Sequence, residues 1–278
     1  MTSQNTFVGK EVFESPKFIN RVKSMLKLDF YRLFQTPVFY IMLVIAAIIP
    51  AMVLSLSGAD MSPPNQSAQT ENIPQMTMPM FENAWQMVET TKNPTHTVNS
   101  DDNPIDMGQF MSINMLFIFA GLLMSIFVAH DYSSGYVKNI FTVHSQKIDY
   151  VISKSAIGIF SGAGMIITYV IGTVVAGFLT GKAFDVEVSG LILCLLSKAL
   201  LMGVFCSLFL GIAVFFRNRL WLTIVFTFLL GMMLYPAGSI ATLDSTLMTL
   251  LISLLASVGG TGLIGVVSNL ILKKRDLA

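Results

Sequence analysis

Six stretches of this chain, at about 38–58, 110–129, 155–179, 189–216, 219–239 and 246–272, stay apolar for roughly twenty residues or more. Crossing a hydrocarbon layer of about 30 Å takes roughly 20 helical residues. In hydrocarbon no water bonds to an open backbone, so every N–H and C=O must be satisfied inside the segment. Six such stretches therefore predict an all-α integral membrane protein with six transmembrane helices, forming one transmembrane domain over residues 1–278. Charge agrees: only 12% of the 278 residues are Asp, Glu, Lys or Arg, against about 25% in soluble domains.

Basic residues orient the bundle. An even number of spans puts both termini on one side, and Lys and Arg collect on the cytoplasmic side. Fourteen of the seventeen fall on one side: Lys10, Lys17, Arg21, Lys23, Lys27 and Arg32 before the first span, then Lys138, Lys147 and Lys154, then Arg217 and Arg219, then Lys273, Lys274 and Arg275. The other side holds only Lys92 and Lys182, and Lys198 lies inside a span. Both termini are thus expected in the cytoplasm and the chain in the plasma membrane. The opening MTSQNTFVGKEVFESPK lacks the apolar core of a signal peptide.

The remaining segments are of two kinds. Residues 59–109 carry seven acids and several prolines and read as a large external loop. Within it Met80, Phe81, Ala84, Trp85 and Val88 make a short apolar stripe, suited either to headgroup depth or to packing within the loop. Before the first span, Phe18, Val22, Met25, Leu26, Phe30, Leu33 and Phe34 recur at helical spacing, with the basic residues at or beyond the stripe's edges. That pattern predicts an amphipathic helix over 15–36 lying in the cytoplasmic interface. Pro37 suits the first turn of the helix that follows. Pro50 and Pro236 are expected to kink or end theirs.

The connection between spans two and three, residues 130–154, is the longest on the cytoplasmic side and is neither apolar nor repetitive. Asp131-Tyr132, Gly135, Lys138, Lys147, Asp149-Tyr150 and Ser153-Lys154 stand there in order. With Lys27-Leu-Asp29-Phe-Tyr-Arg32-Leu-Phe34 before the first span, this pattern resembles the permeases of ABC-2 type transporters. Within that family it looks most like bacterial permeases of peptide-antibiotic export and immunity, including bacitracin-resistance-type and lantibiotic-type transporters. The resemblance spans essentially the whole chain and makes 15–36 the family's elbow helix. It implies a permease without enzymatic activity of its own, driven by two separate ATPase subunits that bind ATP and Mg, and working beside a second permease, identical or related. The substrate implied is amphipathic or lipophilic, such as an antimicrobial peptide. Asp131, Tyr132, Gly135 and Lys138, and the tight turn Arg217-Asn218-Arg219, are the expected contacts with the ATPase.

Residue patterns test other functions. Gly260-Thr-Gly262-Leu-Ile-Gly265 spells G-x-G-x-x-G, but no strand precedes it and no acid follows about 20 residues later, as a dinucleotide site requires. In a span, Gly259, Gly260, Gly262 and Gly265 instead let helices approach closely. G-x-x-x-x-G-K-[ST] does not occur; Thr180-Gly181-Lys182 lacks the preceding glycine. No span carries paired carboxylates or a Ser/His pair, so no catalytic residue is expected. Nor is a metal site, although Met76-Thr-Met78-Pro-Met80 forms a run of soft thioethers, and no nucleic-acid partner is expected; the partners are lipid and protein. Cys194 and Cys206 lie about 18 Å apart along one helix and predict no disulfide. Lys198, costing about 2.5–3.5 kcal/mol at mid-membrane, either meets an acidic group of the substrate in a translocation path, pairs with a carboxylate, stays deprotonated, or snorkels outward. The alternative to transport is a membrane scaffold or sensor whose acidic external loop binds a ligand.

Overall fold

The computed structural model describes residues 18–57, 81–88, 112–143, 146–216 and 219–274. Among the described residues there are eight α-helices, two 3-10 turns and no strand element. The helices are α1 (Phe18–Gln35), α2 (Pro37–Ser55), α3 (Met115–Ser133), α4 (Tyr136–Val143), α5 (Lys147–Thr180), α6 (Val188–Phe216), α7 (Leu220–Leu234) and α8 (Leu247–Lys274). Six are long and apolar enough to cross a membrane: α2, α3, α5, α6, α8, and α7 continued through a 3-10 turn to Ile240. The chain is a multi-pass membrane protein.

Helix boundaries differ from the hydropathy reading, chiefly where charge is internally paired. α3 runs on to Ser133 and α5 begins at Lys147, so residues 130–154 are mostly helix, with α4 between. At 34 residues, α5 is about 51 Å long and overshoots the apolar layer. Its first two turns carry Lys147, Asp149 and Lys154 beyond the segment that hydropathy selects. Thr36, extended before Pro37, breaks α1 from α2 and donates its hydroxyl to Arg32 O at 2.8 Å. α2 passes through Pro50 to Ser55, whereas α7 stops at Leu234 and Pro236 enters the 3-10 turn Tyr235–Ile240.

α3 is the hub. Two thirds of its apolar window, 67%, is buried, against 11% for α8. It packs on α6 and α7, while α5 packs on α2 and α6, and α8 lies along α6. Outward faces keep large apolar side chains exposed, among them Ile41 and Val44 on α2, Ile167 and Ile171 on α5, and Leu255 and Leu263 on α8. Lipid solvates such a surface, and six helices presenting it have no aqueous equivalent.

Close approach rests on small residues. At the α2–α5 crossing, a Cβ on Gly172 would overlap the carbonyl oxygen of Ala47. Along α6 and α8, a Cβ on Gly203 would lie 3.5 Å from Ser257 Oγ, and one on Gly211 3.2 Å from Ser268 Oγ. Cys194 and Cys206 are buried thiols, their sulfurs 3.5 Å from Ala241 O and 3.4 Å from Gly158 O.

Gly172→Val should push α2 off α5 and cost about 1–3 kcal/mol, as overpacking of a filled crossing does. Gly164→Ala, whose new Cβ meets only Leu43 Cδ2 at 3.8 Å, should not destabilise and should gain up to about 1 kcal/mol from helix propensity. Thermal unfolding in detergent compares them; equal midpoints for the two variants would contradict the tight crossing.

Candidate functional site

One end of the bundle gathers ionised side chains from three helices and a tyrosine from a fourth. On α1, Met25, Asp29 and Leu33 are buried and recur every fourth residue, so they share a face. A carboxylate therefore sits in the centre of an apolar stripe pressed on α5. α5 answers with Ser153 and Lys154, one turn beyond Asp149 and Tyr150. α3 carries Asp131 in its last turn, and the turn after the helix delivers Tyr136 at the start of α4. That turn needs glycine: Gly135 has φ of 74°, a left-handed conformation that side chains disfavour.

These groups close into one network. Lys154 Nζ lies 2.7 Å from Asp29 Oδ1 and 2.6 Å from Asp131 Oδ2. Arg32 Nη1 lies 2.6 Å from Asp131 Oδ1. Ser153 Oγ donates to Asp29 Oδ2 at 2.6 Å, Tyr136 OH to Asp29 Oδ1 at 3.3 Å, and Tyr150 OH to Asp131 Oδ2 at 3.1 Å. Aromatic faces complete it: Lys154 Nζ is 4.1 Å from the Phe127 ring centre, and the Arg32 guanidinium 3.7 Å from that of Tyr136, both within cation–π reach. Asp29, Asp131 and Lys154 are fully buried. Two carboxylates against two cations leave no net charge.

Two further ties extend the network. Arg21 Nε bonds Asp149 Oδ2 at 2.9 Å and Arg21 Nη2 bonds Gln146 Oε1 at 2.9 Å, so α1 grips the start of α5 twice. Lys147 Nζ donates to Leu272 O at 2.6 Å, placing an ammonium at the negative C-terminal end of α8. The start of α1, the end of α3, α4, the start of α5 and the end of α8 thus lie together, and this is the basic end of the bundle. Burial, the largest single influence, works against charge on Arg32, but Asp131 and Tyr136 outweigh it and raise its pKa above the ordinary value. Burial and then the Asp29 carboxylate raise the Tyr136 phenol well above its usual range, which keeps it a neutral donor.

The residues singled out in the sequence fall into separate settings. Asp131 faces inward, in the network rather than on the surface. Tyr132 is half-buried, Gly135 makes the turn, and Lys138 and Arg219 are exposed. Arg217 and Asn218 lie outside the described residues, as do Met76, Met78 and Met80. Of the glycines in α8, a Cβ on Gly260 would lie 2.9 Å from Val204 Cγ1 on α6, and one on Gly265 3.8 Å from Val151 Cγ1 on α5. Gly259 and Gly262 face outward with open space beyond them. α8 is one helix from Leu247 to Lys274 through the whole G-x-G-x-x-G stretch, with neither a turn nor a strand to cradle phosphate.

At the other end, Lys198 is buried and does not snorkel. Its Nζ donates to Asn114 Oδ1 and to Gly238 O, both at 2.8 Å, and so ties the 3-10 turn after α7 to the start of α3. The external stripe is packed too: Phe81, Ala84, Met87 and Val88 are buried. Tyr169 OH donates to Met87 O at 3.2 Å, Ala84 N to Ala183 O at 2.9 Å, and Trp85 meets Phe184 edge-on. This piece caps the C-terminal end of α5. Among the described residues no three His, Cys, Asp or Glu side chains converge as metal ligands.

In the sequence Asp29, Arg32 and Lys154 enter a family resemblance, and Arg32 and Lys154 the charge count, but nothing there pairs them. The signal was the position of each charge at the margin of an apolar run, where an ion is tolerated only with a partner. Within the network each carboxylate is paired with at least one cation.

Lys154→Met should lose about 3–5 kcal/mol, because two buried carboxylates would then face one remaining cation. Lys198→Met removes a donor from two neutral oxygens and should cost about 1–3 kcal/mol. Unfolding in detergent, followed by circular dichroism, gives the order; a larger loss at Lys198 would contradict the assignment of the network as the stronger tie.

Comparison with protein-family models, with curated proteins and with solved structures finds no match to this chain.

Proposed function

We propose that the chain is the membrane permease of an ABC-2 type exporter, powered by separate ATPase subunits. The observation that carries this reading is the ion network at the basic end, which joins a short surface helix to the helices that build the core. α4 is eight residues long, with Lys138, Asn139 and Thr142 exposed and Val137 and Ile140 buried. A push on its outer face is delivered through Tyr136 to Asp29 and through the Gly135 turn to Asp131, and so to α1, α3 and α5 together. A pump needs such a lever, because ATP is hydrolysed on another protein and work must cross the contact between them.

In this reading the basic end is cytoplasmic by the positive-inside rule. α1 lies as an elbow in the inner leaflet, with Phe18, Ile19, Leu28, Tyr31 and Phe34 exposed toward lipid and Lys23 and Lys27 toward headgroups. α4 and Arg219 are offered to the ATPases, which bind ATP and Mg. The substrate is amphipathic or lipophilic, of the antimicrobial-peptide class, and moves outward beside a second permease in the plasma membrane. Asp131 has an internal part: it holds the lever and does not touch the ATPase.

Purification of the tagged chain from its own membranes tests the reading. An ATPase carrying G-x-x-x-x-G-K-[ST] should co-purify and hydrolyse ATP, and Lys138→Glu should release it or lower its turnover about tenfold or more while the permease stays folded. A chain that purifies without any ATPase, with its native neighbours present, would overturn the proposal.

A further inference from the structure

A cavity of about 500 Å³ opens between the α1–α2 corner, the last two turns of α3 and the first residue of α7. That volume is within the range of roughly 300–1,000 Å³ found for organic-ligand sites. Its polar wall is Arg32, Gln35, Thr36, His130 and Ser133. Its apolar wall includes Val38, Ile126, Phe127 and Leu220. Among the described residues no carboxylate lines it.

From this we propose that the cavity binds the phosphate headgroup of an anionic phospholipid, with the start of an acyl chain against its apolar wall. Depth is the first reason. Pro37, Ser133 and Leu220 are terminal residues of three spans, so the cavity lies where hydrocarbon gives way to headgroups. It reaches from Ser133 down to Ile126, about 10 Å along α3, deep enough for a headgroup and the glycerol below it. The second reason is charge. A guanidinium has five N–H donors; Asp131 takes Arg32 Nη1 and Tyr136 covers one face, while the side chain remains 19% exposed and lines the cavity. His130 and Gln35 are exposed at the rim and supply further donors, while the Ser133 hydroxyl donates to His130 O at 3.1 Å. The third is polarity: inorganic phosphate has no use for the apolar wall, whereas a phospholipid fits both halves. The site needs only the membrane, not the exporter reading. A lipid bound there is a second anion on Arg32, beside Asp131, and so touches the network directly.

The test is native mass spectrometry of the full chain in detergent, titrated with phosphatidylglycerol, phosphatidylcholine or inorganic phosphate. One phosphatidylglycerol should be retained in preference to phosphatidylcholine. His130→Glu, at the exposed rim and outside the ion network, should weaken that binding about tenfold. Arg32→Lys, which keeps the charge that Asp131 needs but loses the fork, should weaken it as well. Lys27→Glu, a larger charge change on the exposed side of α1, should leave it unchanged. Equal retention of the two lipids, equal weakening by His130→Glu and Lys27→Glu, or displacement of the lipid by inorganic phosphate would each overturn the proposal. The first two outcomes mean diffuse association, and the third a free-anion site.

Discussion

Lys154, held between Asp29 and Asp131, is the interaction on which the basic end depends. Moving one ion out of water costs several kcal/mol even after relaxation, and mutual attraction repays this only when geometry and extra hydrogen bonds are nearly complete. Here they are: each carboxylate receives one or two cations and at least one hydroxyl, and rings cover Lys154 and Arg32. Such a cluster tolerates one arrangement. A slip of α1 along α5 by a single residue would strand Asp29 among apolar neighbours, so the network sets register more sharply than apolar packing does.

The two ends of the bundle are consequently held by different chemistry. The basic end is joined by ions, across helices far apart in sequence. The other end is joined by neutral acceptors: Lys198 on Asn114 and Gly238, Tyr169 on the carbonyl of Met87, and the capping segment 81–88 on Ala183. Between them α3 is the buried post, and α7 and α8 lie on the outside, with α8 resting on α6 through serines and glycines. The ions join α1, α3 and α5 to one another, while single hydrogen bonds add to the packing of the outer helices: the Ser125 and Thr227 hydroxyls meet at 2.7 Å between α3 and α7, and Lys147 holds the end of α8.

Much of this was legible in the residues. The six apolar runs identify the six spans, because hydrocarbon leaves the backbone no other solution, and the 3.6-residue stripe identifies α1. The G-x-G-x-x-G stretch, assigned to a span, lies within the single helix α8. What escaped was pairing. Lys154 reads as a loop residue when a span is stopped at its first charge, yet α5 begins two turns earlier, because Asp29 and Asp131 make that charge tolerable inside the fold. Asp131 likewise reads as a surface contact until its partners are known. Neither partner is near in sequence, since Asp29 lies 125 residues from Lys154, and no local pattern encodes such a distance. The glycines of α8 were only partly legible for a related reason. Spacing shows that small residues share a region, but not that Gly260 meets Val204 while Gly259 and Gly262 face out.

The most direct test of the central claim is a double-mutant cycle on Asp29→Asn and Lys154→Met, read as unfolding free energy in detergent. If the two side chains form one buried pair that sets the register of α1 on α5, the double variant should be less destabilised than the sum of the singles. The coupling should reach about 2–3 kcal/mol, the upper end for contacting residues. Additivity within about 0.5 kcal/mol, the behaviour of independent sites, would contradict it and leave α1 as a helix that merely rests on the bundle.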